Sequence, residues 1–145
     1  RITWLRGQPL YLLAVLRAMA SYPLPVVDIY KDDGDRLGKQ ILMISVGNNR
    51  RNGGGFRVNP NAVPDDGLLD LCIVDAIPRR QILRLLPKAM KGSHDGEPTV
   101  ELARSTRLVV ESSVPLPIHA DGEIVNNEGL RVEVTLAPGR LDVVV

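Results

Sequence analysis

Short runs of apolar and β-branched residues, separated by glycine, proline and Asp-Gly pairs, recur along most of this 145-residue chain. Runs of this length and composition are typical of strands. Eight strands are expected, at 26–30, 40–46, 68–74, 100–102, 106–111, 116–120, 130–136 and 141–145. Together with two helices, the pattern predicts a mainly β fold with helical additions (α+β), arranged as a β-sandwich-like domain or a barrel.

Two segments are expected to be helical. Pro9 fits the first turn of a helix over 10–20. That segment is apolar on almost every side, so we expect it to pack against two bodies rather than one. The second helix runs from Pro78 to about Lys91, where a glycine follows. Pro87 should kink it, because proline cannot donate the backbone hydrogen bond of a helix interior.

The second helix is amphipathic. Its apolar face consists of Ile82, Leu85, Leu86, Ala89 and Met90, and its opposite, basic face consists of Arg80, Arg84, Lys88 and Lys91. A basic helix face is by default a solvated one. Because each lysine or arginine near an anionic membrane adds about 1 kcal/mol of attraction, it is also a candidate for peripheral membrane contact.

Composition limits the classes of function. The formal net charge is +1 and 3% of the residues are aromatic, which argues against a nucleic acid partner. Cys72 is the sole cysteine, and its apolar neighbours in sequence indicate a buried, inert thiol. The chain alone forms no disulfide, in agreement with a cytoplasmic location. Its apolar run at 10–16 is shorter than the roughly 20 residues that cross a bilayer, and neither histidine has a partner at zinc-ligand spacing.

A glycine-rich segment separates two of the expected strands. Gly53, Gly54 and Gly55 are consecutive, and such glycines are kept where the backbone needs unusual dihedrals or a close approach. The segment is not a phosphate-binding P-loop, since no Gly-Lys-Ser/Thr follows it. The segment is equally compatible with a simple bend and with a close approach of the backbone to a ligand or a partner domain. No role is assigned to Arg50 or Arg51.

The tripeptide Asp-Gly-Glu occurs twice, at 95–97 and at 121–123. Taken alone it is a weak motif, because Asp-Gly is ordinary turn chemistry. The second copy differs in context, since an apolar strand that ends at Ala120 can hold its carboxylates rigidly. The first copy lies in a polar loop, and its Asp95 and Glu97 are expected at the surface.

The stretch 47–71, read together with His119-Ala120-Asp121-Gly122-Glu123, resembles the C-terminal half of the diacylglycerol kinase-like lipid kinases. The resemblance implies that Glu123 is the general base that accepts the proton of a lipid hydroxyl. It also implies a largely structural Mg²⁺ bound by Asp66 and by the backbone carbonyls of Leu69 and Leu71. Asp70 alternates with apolar neighbours and is expected to point to solvent.

The resemblance further implies a domain organisation. Residues 1–145 correspond to the C-terminal domain, with 1–22 as a packing segment between domains, and the chain is expected to be a piece of a longer protein. An N-terminal nucleotide domain with a Gly-Gly-Asp-Gly-Thr phosphate loop would bind ATP, and no such sequence is present here. The expected partners are that domain and a lipid substrate at a membrane surface, and a homodimer is allowed. The chain by itself is expected to be inactive.

Two other functions stay open at this stage. The first is a non-catalytic β-sandwich that binds a ligand or partner and carries Asp-Gly turns by chance. The second keeps the lipid kinase family but replaces diacylglycerol by a sphingoid base or another lipid alcohol, because the shape of a pocket decides between such substrates. The first alternative predicts that Glu123 is dispensable.

Overall fold

The computed structural model describes residues 24–32, 34–51 and 55–140. In chain order these contain β1 (Val26–Lys31), β2 (Leu37–Gly47), β3 (Leu69–Asp75), α1 (Arg79–Lys91), β4 (Val100–Ser105), β5 (Arg107–Ala120) and β6 (Glu123–Thr135). The strands follow the order β4-β3-β2-β1-β5-β6, and all neighbours are antiparallel. The predicted mainly β fold is confirmed. The predicted helix at 10–20 and strand at 141–145 lie outside the described residues.

The sheet is strongly curled. β2 pairs with β1 through residues 37–40 and with β3 through 41–47, and a bulge between Ile41 and Met43 marks the change. The curl brings distant strands together, since Lys31 Nζ of β1 lies 2.5 Å from Glu101 Oε1 of β4 although two strands separate them in the sheet. Lys31, together with Lys39 of β2, holds the pKa of the Glu101 carboxyl below its usual range.

Each face of the curled sheet carries its own apolar core. The core inside the curl consists of Val27, Ile29, Ile41, Leu69, Leu71, Ile73, Leu108, Val110 and Leu116. The core on the other face lies under α1 and consists of Leu42, Cys72, Val74, Ile77 and Ile82. β3 contributes to both cores, so six consecutive residues from its start are buried. This two-sided burial makes β3 the centre of the domain.

The boundaries of α1 follow local chemistry. The helix begins after Pro78 and runs without a break through the exposed Pro87. Gly92 ends it in the left-handed conformation, with a φ of 74°, and its N–H bonds back to the carbonyl of Ala89. A side chain at Gly92 would also crowd Arg57, because a Cβ added to Gly92 would lie 3.1 Å from the Arg57 Cβ. The predicted start and end of this helix are confirmed.

The long β5 corrects the prediction of two separate strands at 106–111 and 116–120. It is one strand of 14 residues that runs through Pro115 and Pro117. Prolines are tolerated at a strand edge without a partner, because no ladder hydrogen bond is lost there. β1 pairs with β5 only as far as Ser112, so both prolines lie beyond it, where β6 is the remaining described neighbour. β6 pairs with this outer part of β5. It therefore begins at Glu123 instead of at residue 130.

Candidate functional site

The second Asp-Gly-Glu copy forms the tight turn between β5 and β6. Ala120 and Glu123 are directly paired across the ladder, and only Asp121 and Gly122 connect them. Both connecting residues have positive φ, at 50° and 88°. Two consecutive positive φ values define the hairpin turn for which Asp-Gly is a preferred sequence. The turn therefore fixes Glu123 as the first residue of β6.

The turn lies at the end of a two-stranded ribbon, which we define as residues 113–130. β5 leaves its partner β1 after Ser112, and from there β5 and β6 pair with each other through several register shifts. Every residue from 119 to 128 is exposed, and Ile124 and Val125 are 61% and 63% exposed. Both faces of the ribbon near the turn are thus open within the described part of the protein.

Glu123 is exposed and has no hydrogen-bond or ion-pair partner among the described residues. Its surroundings are acidic, because the ribbon carries Asp121, Glu123 and Glu128 but no lysine or arginine. A free carboxylate on a rigid turn can accept a proton from a bound hydroxyl. The ribbon itself supplies no lysine or arginine that could hold a phosphate group.

The first Asp-Gly-Glu copy follows α1 in a loop. Asp95 is exposed, as predicted, whereas Glu97 is half-buried and forms an ion pair with Lys88. His94, next to it, is 1% exposed, and its Nε2–H donates to the carbonyl of Val58 at 2.9 Å. This copy fixes a loop against the body of the domain.

Asp66 lies in the turn that leads into β3. Its Oδ1 accepts the N–H of Leu68 at 3.0 Å, and its Oδ2 lies 3.7 Å from Nη1 of Arg104. Oδ2 accepts no hydrogen bond from the described residues, so this oxygen could serve a hard cation such as Mg²⁺. No group of three or more His, Cys, Asp or Glu side chains in the described ranges is placed to hold a metal ion.

Leu69 and Leu71 are core residues of β3, and their backbones lie in a regular ladder opposite Ser105 and Ala103. Carbonyl oxygens two residues apart on a regular strand are separated by roughly 6.6 Å. Two oxygens bound to the same Mg²⁺ are at most about 4.2 Å apart, twice the metal–oxygen distance. A single ion at Asp66 can therefore use one of these two carbonyls at most, and the magnesium site stays a prediction.

Asp70 is buried, at 5% exposure, so the expectation that it points to solvent is wrong. It faces Arg104 across the ladder, and Arg104 Nε donates to Asp70 Oδ1 at 3.3 Å. Arg104 also donates to the carbonyl of Asn61 at 2.8 Å. The loop that contains Asn59 and Asn61 covers this face of β3, and alternation in the sequence of β3 could not reveal that second layer.

A groove of about 470 Å³ lies beside this cluster, lined by Asn59, Pro60, Asn61, Asp70, Leu71, Leu102, Ala103 and Arg104. Asn59 Nδ2 donates to the carbonyl of Asp70 at 3.3 Å. Two buried oxygens, Asn59 Oδ1 and Asp70 Oδ2, accept no hydrogen bond from the described residues. This polar cluster was not predicted from the sequence, where its signal is the pair of opposite charges at Asp70 and Arg104.

The glycine-rich segment is only partly described. Residues 52–54 lie outside the described ranges, and Gly55 has a φ of 85°. Arg50 Nε donates to the carbonyl of Ala62 at 3.1 Å, and Arg51 is exposed. The structure thus gives Arg50 a loop contact and leaves the choice between a bend and a ligand approach open.

The structure shows no contact between the side chains of Asp66 and Glu123. The Asp66 carboxylate reaches Leu68 and Arg104, whereas the Glu123 side chain has no partner among the described residues. Asp66 precedes β3, and Glu123 is the first residue of β6. The two predicted sites therefore lie on different elements of the domain.

Comparison with known proteins agrees with this architecture. The whole chain, residues 1–145, matches the family described as the YegS C-terminal NAD kinase beta sandwich-like domain. A diacylglycerol kinase from Mycobacterium tuberculosis (strain ATCC 25618 / H37Rv) is 31% identical over 144 residues, covering 99% of this chain and 45% of that protein. A protein from Pseudomonas syringae pv. syringae named "Probable lipid kinase YegS-like" is 34% identical over 103 residues, covering 71% of this chain and 32% of that protein.

A solved structure has the same fold. The structure of a diacylglycerol kinase from Bacillus anthracis str. Sterne matches with a TM-score of 0.67 at 21% identity, over 89% of this chain and 43% of that chain. Fold and family together define the class as a β-sandwich-like domain of the diacylglycerol kinase-like proteins. The chain belongs to the YegS C-terminal domain family, whose relatives include proteins named as lipid kinases. It spans less than half the length of these curated relatives.

Proposed function

We propose that this chain is the C-terminal half of an ATP- and Mg²⁺-dependent kinase that phosphorylates a lipid hydroxyl, with diacylglycerol as its substrate. The observation that carries the proposal is Glu123, which is exposed and unpaired within the described residues on the rigid Asp-Gly turn. The names of the relatives support the reaction class. The Mg²⁺ that accompanies ATP would neutralise part of the charge of the phosphate groups.

Glu123 would act as the general base. As the lipid hydroxyl oxygen forms its bond to the γ-phosphorus of ATP, its proton passes to the Glu123 carboxylate. The bond between the γ-phosphorus and the bridging oxygen breaks, and ADP leaves. Phosphoryl transfer depends mainly on positioning and charge neutralisation, so a carboxylate that orients the hydroxyl is a sufficient contribution from this half.

The ATP site would belong to an N-terminal nucleotide domain. The ribbon has three carboxylates, one histidine (His119) and no lysine or arginine, so it would repel a triphosphate unless cations came from elsewhere. This charge supports the proposals that the reaction takes place between two domains and that the chain alone is inactive.

We further propose a cytoplasmic protein with peripheral membrane contact. No helix in the described ranges is long and apolar enough to cross a membrane.

The test is transfer of the γ-phosphate from Mg·ATP to a panel of diacylglycerol, a sphingoid base and a polyprenol. The assay compares this chain with the same chain extended upstream by its native sequence. Phosphorylation of diacylglycerol by the extended protein alone would support the proposal, and preference for another alcohol would change the substrate. If the extended protein phosphorylates no lipid alcohol, the binding-domain alternative replaces the kinase.

A further inference from the structure

The outer side of α1 is the surface that the proposed catalytic ribbon does not use. α1 carries five basic residues and no acidic one in its 13 positions. The basic face of Arg80, Arg84, Lys88 and Lys91 is exposed throughout. Lys88 forms an ion pair with Glu97, whereas the other three have no acidic partner among the described residues. An uncompensated positive surface therefore covers the helix.

Two exposed apolar side chains border the basic face. Leu83 is 56% exposed and Met90 is 40% exposed. They are seven residues apart, which places them on the same side of the helix two turns from each other. Leu83 follows Arg80 by three residues, a spacing that makes two helix side chains neighbours, so the exposed apolar groups border the basic face.

The body of the domain does not explain this exposure. On the buried side of α1, Ile82 belongs to the core beneath the helix, and the partly buried Leu85 packs against that core. Leu83 and Met90 add nothing to that core. Unpaired cations beside exposed apolar side chains on one helix are the pattern of helices that lie on an anionic membrane, where lipid headgroups take the charges and the acyl boundary takes the apolar groups.

We propose that α1 is a membrane-docking helix that binds the surface of an anionic lipid bilayer through Arg80, Arg84 and Lys91, with Leu83 and Met90 inserted at the headgroup boundary. The docking would bring the proposed kinase to its substrate. Only this purpose rests on the proposed function, because binding to lipid requires neither ATP nor catalysis.

Co-sedimentation of the chain with vesicles tests the proposal. Two preparations are compared: phosphatidylcholine alone, and phosphatidylcholine mixed with an equal amount of phosphatidylglycerol, both without diacylglycerol and ATP. We expect binding to the mixed vesicles only, weakening with added salt as the charges are screened. Equal binding to both preparations, or to neither, would overturn the proposal without bearing on the kinase assay.

Paired variants separate charge from insertion. Replacing Arg80 and Arg84 by glutamine removes two charges from the docking surface, and we expect about fivefold weaker binding per charge. The matched control replaces Arg51 and Arg140 by glutamine with the same loss of net charge; both are exposed, lie outside α1 and have no acidic partner among the described residues. If the control weakens binding as much as the Arg80/Arg84 variant, net charge and not α1 is responsible, and the proposal fails.

The third variant, Leu83→Ser with Met90→Ser, distinguishes a bilayer from a soluble polyanion. We expect roughly tenfold weaker binding to the mixed vesicles, because apolar burial is lost, and unchanged binding to heparin. If this variant binds the vesicles like the parent, α1 is a site for polyanions and not a membrane-docking helix. Circular dichroism melting of all variants verifies that these exposed substitutions leave the fold intact.

Discussion

Single residues fix the corners of the curled sheet, and Asp32 is the clearest case. It follows β1 with a φ of 52°. Its Oδ1 accepts hydrogen bonds from Thr106 N at 2.8 Å, Thr106 Oγ1 at 2.7 Å and Arg107 N at 3.1 Å. One carboxylate thus ties the end of β1 to the corner between β4 and β5. The hydrogen bond from the Thr106 hydroxyl, more than any other contact, lowers the pKa of Asp32 below its ordinary value of 3.8.

The lowered pKa predicts how acid affects this corner. Because the folded-state pKa of Asp32 is below the unfolded one, its contribution to stability is present above about pH 3.8 and is lost as the pH falls through the folded-state value. We expect Asp32→Asn to lower the urea midpoint at neutral pH and to lose this effect in acid. A difference between parent and variant that stays constant down to the acid limb would contradict the assignment.

The burial of the Cys72 thiol was predicted directly from its apolar neighbours in the sequence. It lies 1% exposed, and burial raises the pKa of its thiol to about 11. The thiolate is the reactive form, so we expect the native thiol to resist a disulfide reagent at pH 8 and to react at once in urea. Comparable rates with and without urea would show that the core around β3 opens easily.

In β3 the sequence predicted the burial of Cys72 but not that of Asp70. The apolar run around Cys72 was long enough to predict burial, and this prediction is confirmed. Asp70 was assigned to solvent because it alternates with core residues. Alternation identifies one buried face only, whereas a loop and Arg104 cover the other face of β3. The contacts that form this covering layer join Asp70 to residues that are 11 and 34 positions away from it in the sequence.

At the scale of elements, Arg104 connects a strand, a turn and a loop. Its guanidinium nitrogens reach Asp70 in β3, Asp66 in the preceding turn and the carbonyl of Asn61. Asp70 is buried, so removal of Arg104 would leave a buried carboxylate without its cationic hydrogen-bond donor. Because Arg104 itself is 43% exposed, solvent weakens the ion pair and a moderate effect is expected.

We expect Arg104→Gln to lower the free energy of unfolding by about 2 kcal/mol, because it leaves a buried carboxylate short of a donor. The matched control is Arg131→Gln, which also removes an arginine between two carboxylates, those of the more exposed Glu111 and Glu133. Exposed pairs contribute less than about 1 kcal/mol. Equal losses in urea titrations of the two variants would show that burial of Asp70 does not matter.

Elements were predictable from sequence where local chemistry decides them. The Asp-Gly turn at 121–122 and the helix between Pro78 and Gly92 follow from residue preferences that act over a few positions. The bulge between Ile41 and Met43 gives no such signal, yet it bends β2 from one half of the sheet into the other. The curl, and with it the contact between Lys31 and Glu101, therefore could not be derived from the sequence.

At the scale of the whole molecule, α1 and the ribbon carry excess charge of opposite sign. α1 is basic and the ribbon is acidic, although the formal net charge is only +1. In the proposed kinase the basic helix faces a membrane and the acidic ribbon offers a proton acceptor. The proposed nucleotide domain would supply the cations that the ribbon lacks, and the curated relatives are more than twice as long as this chain.

Glu123 is the proposed acceptor of the substrate's proton, and a comparison of two variants tests this role. Diacylglycerol phosphorylation is measured for the upstream-extended protein with Glu123→Gln and, as a control on the same ribbon, with Glu128→Gln. If Glu123 is the general base, we expect its change to lower kcat by about 10² to 10⁴, the usual contribution of such a group. The Glu128 change, which removes the same charge, should leave kcat within about twofold. Equal activity of the two variants would contradict the assignment of Glu123.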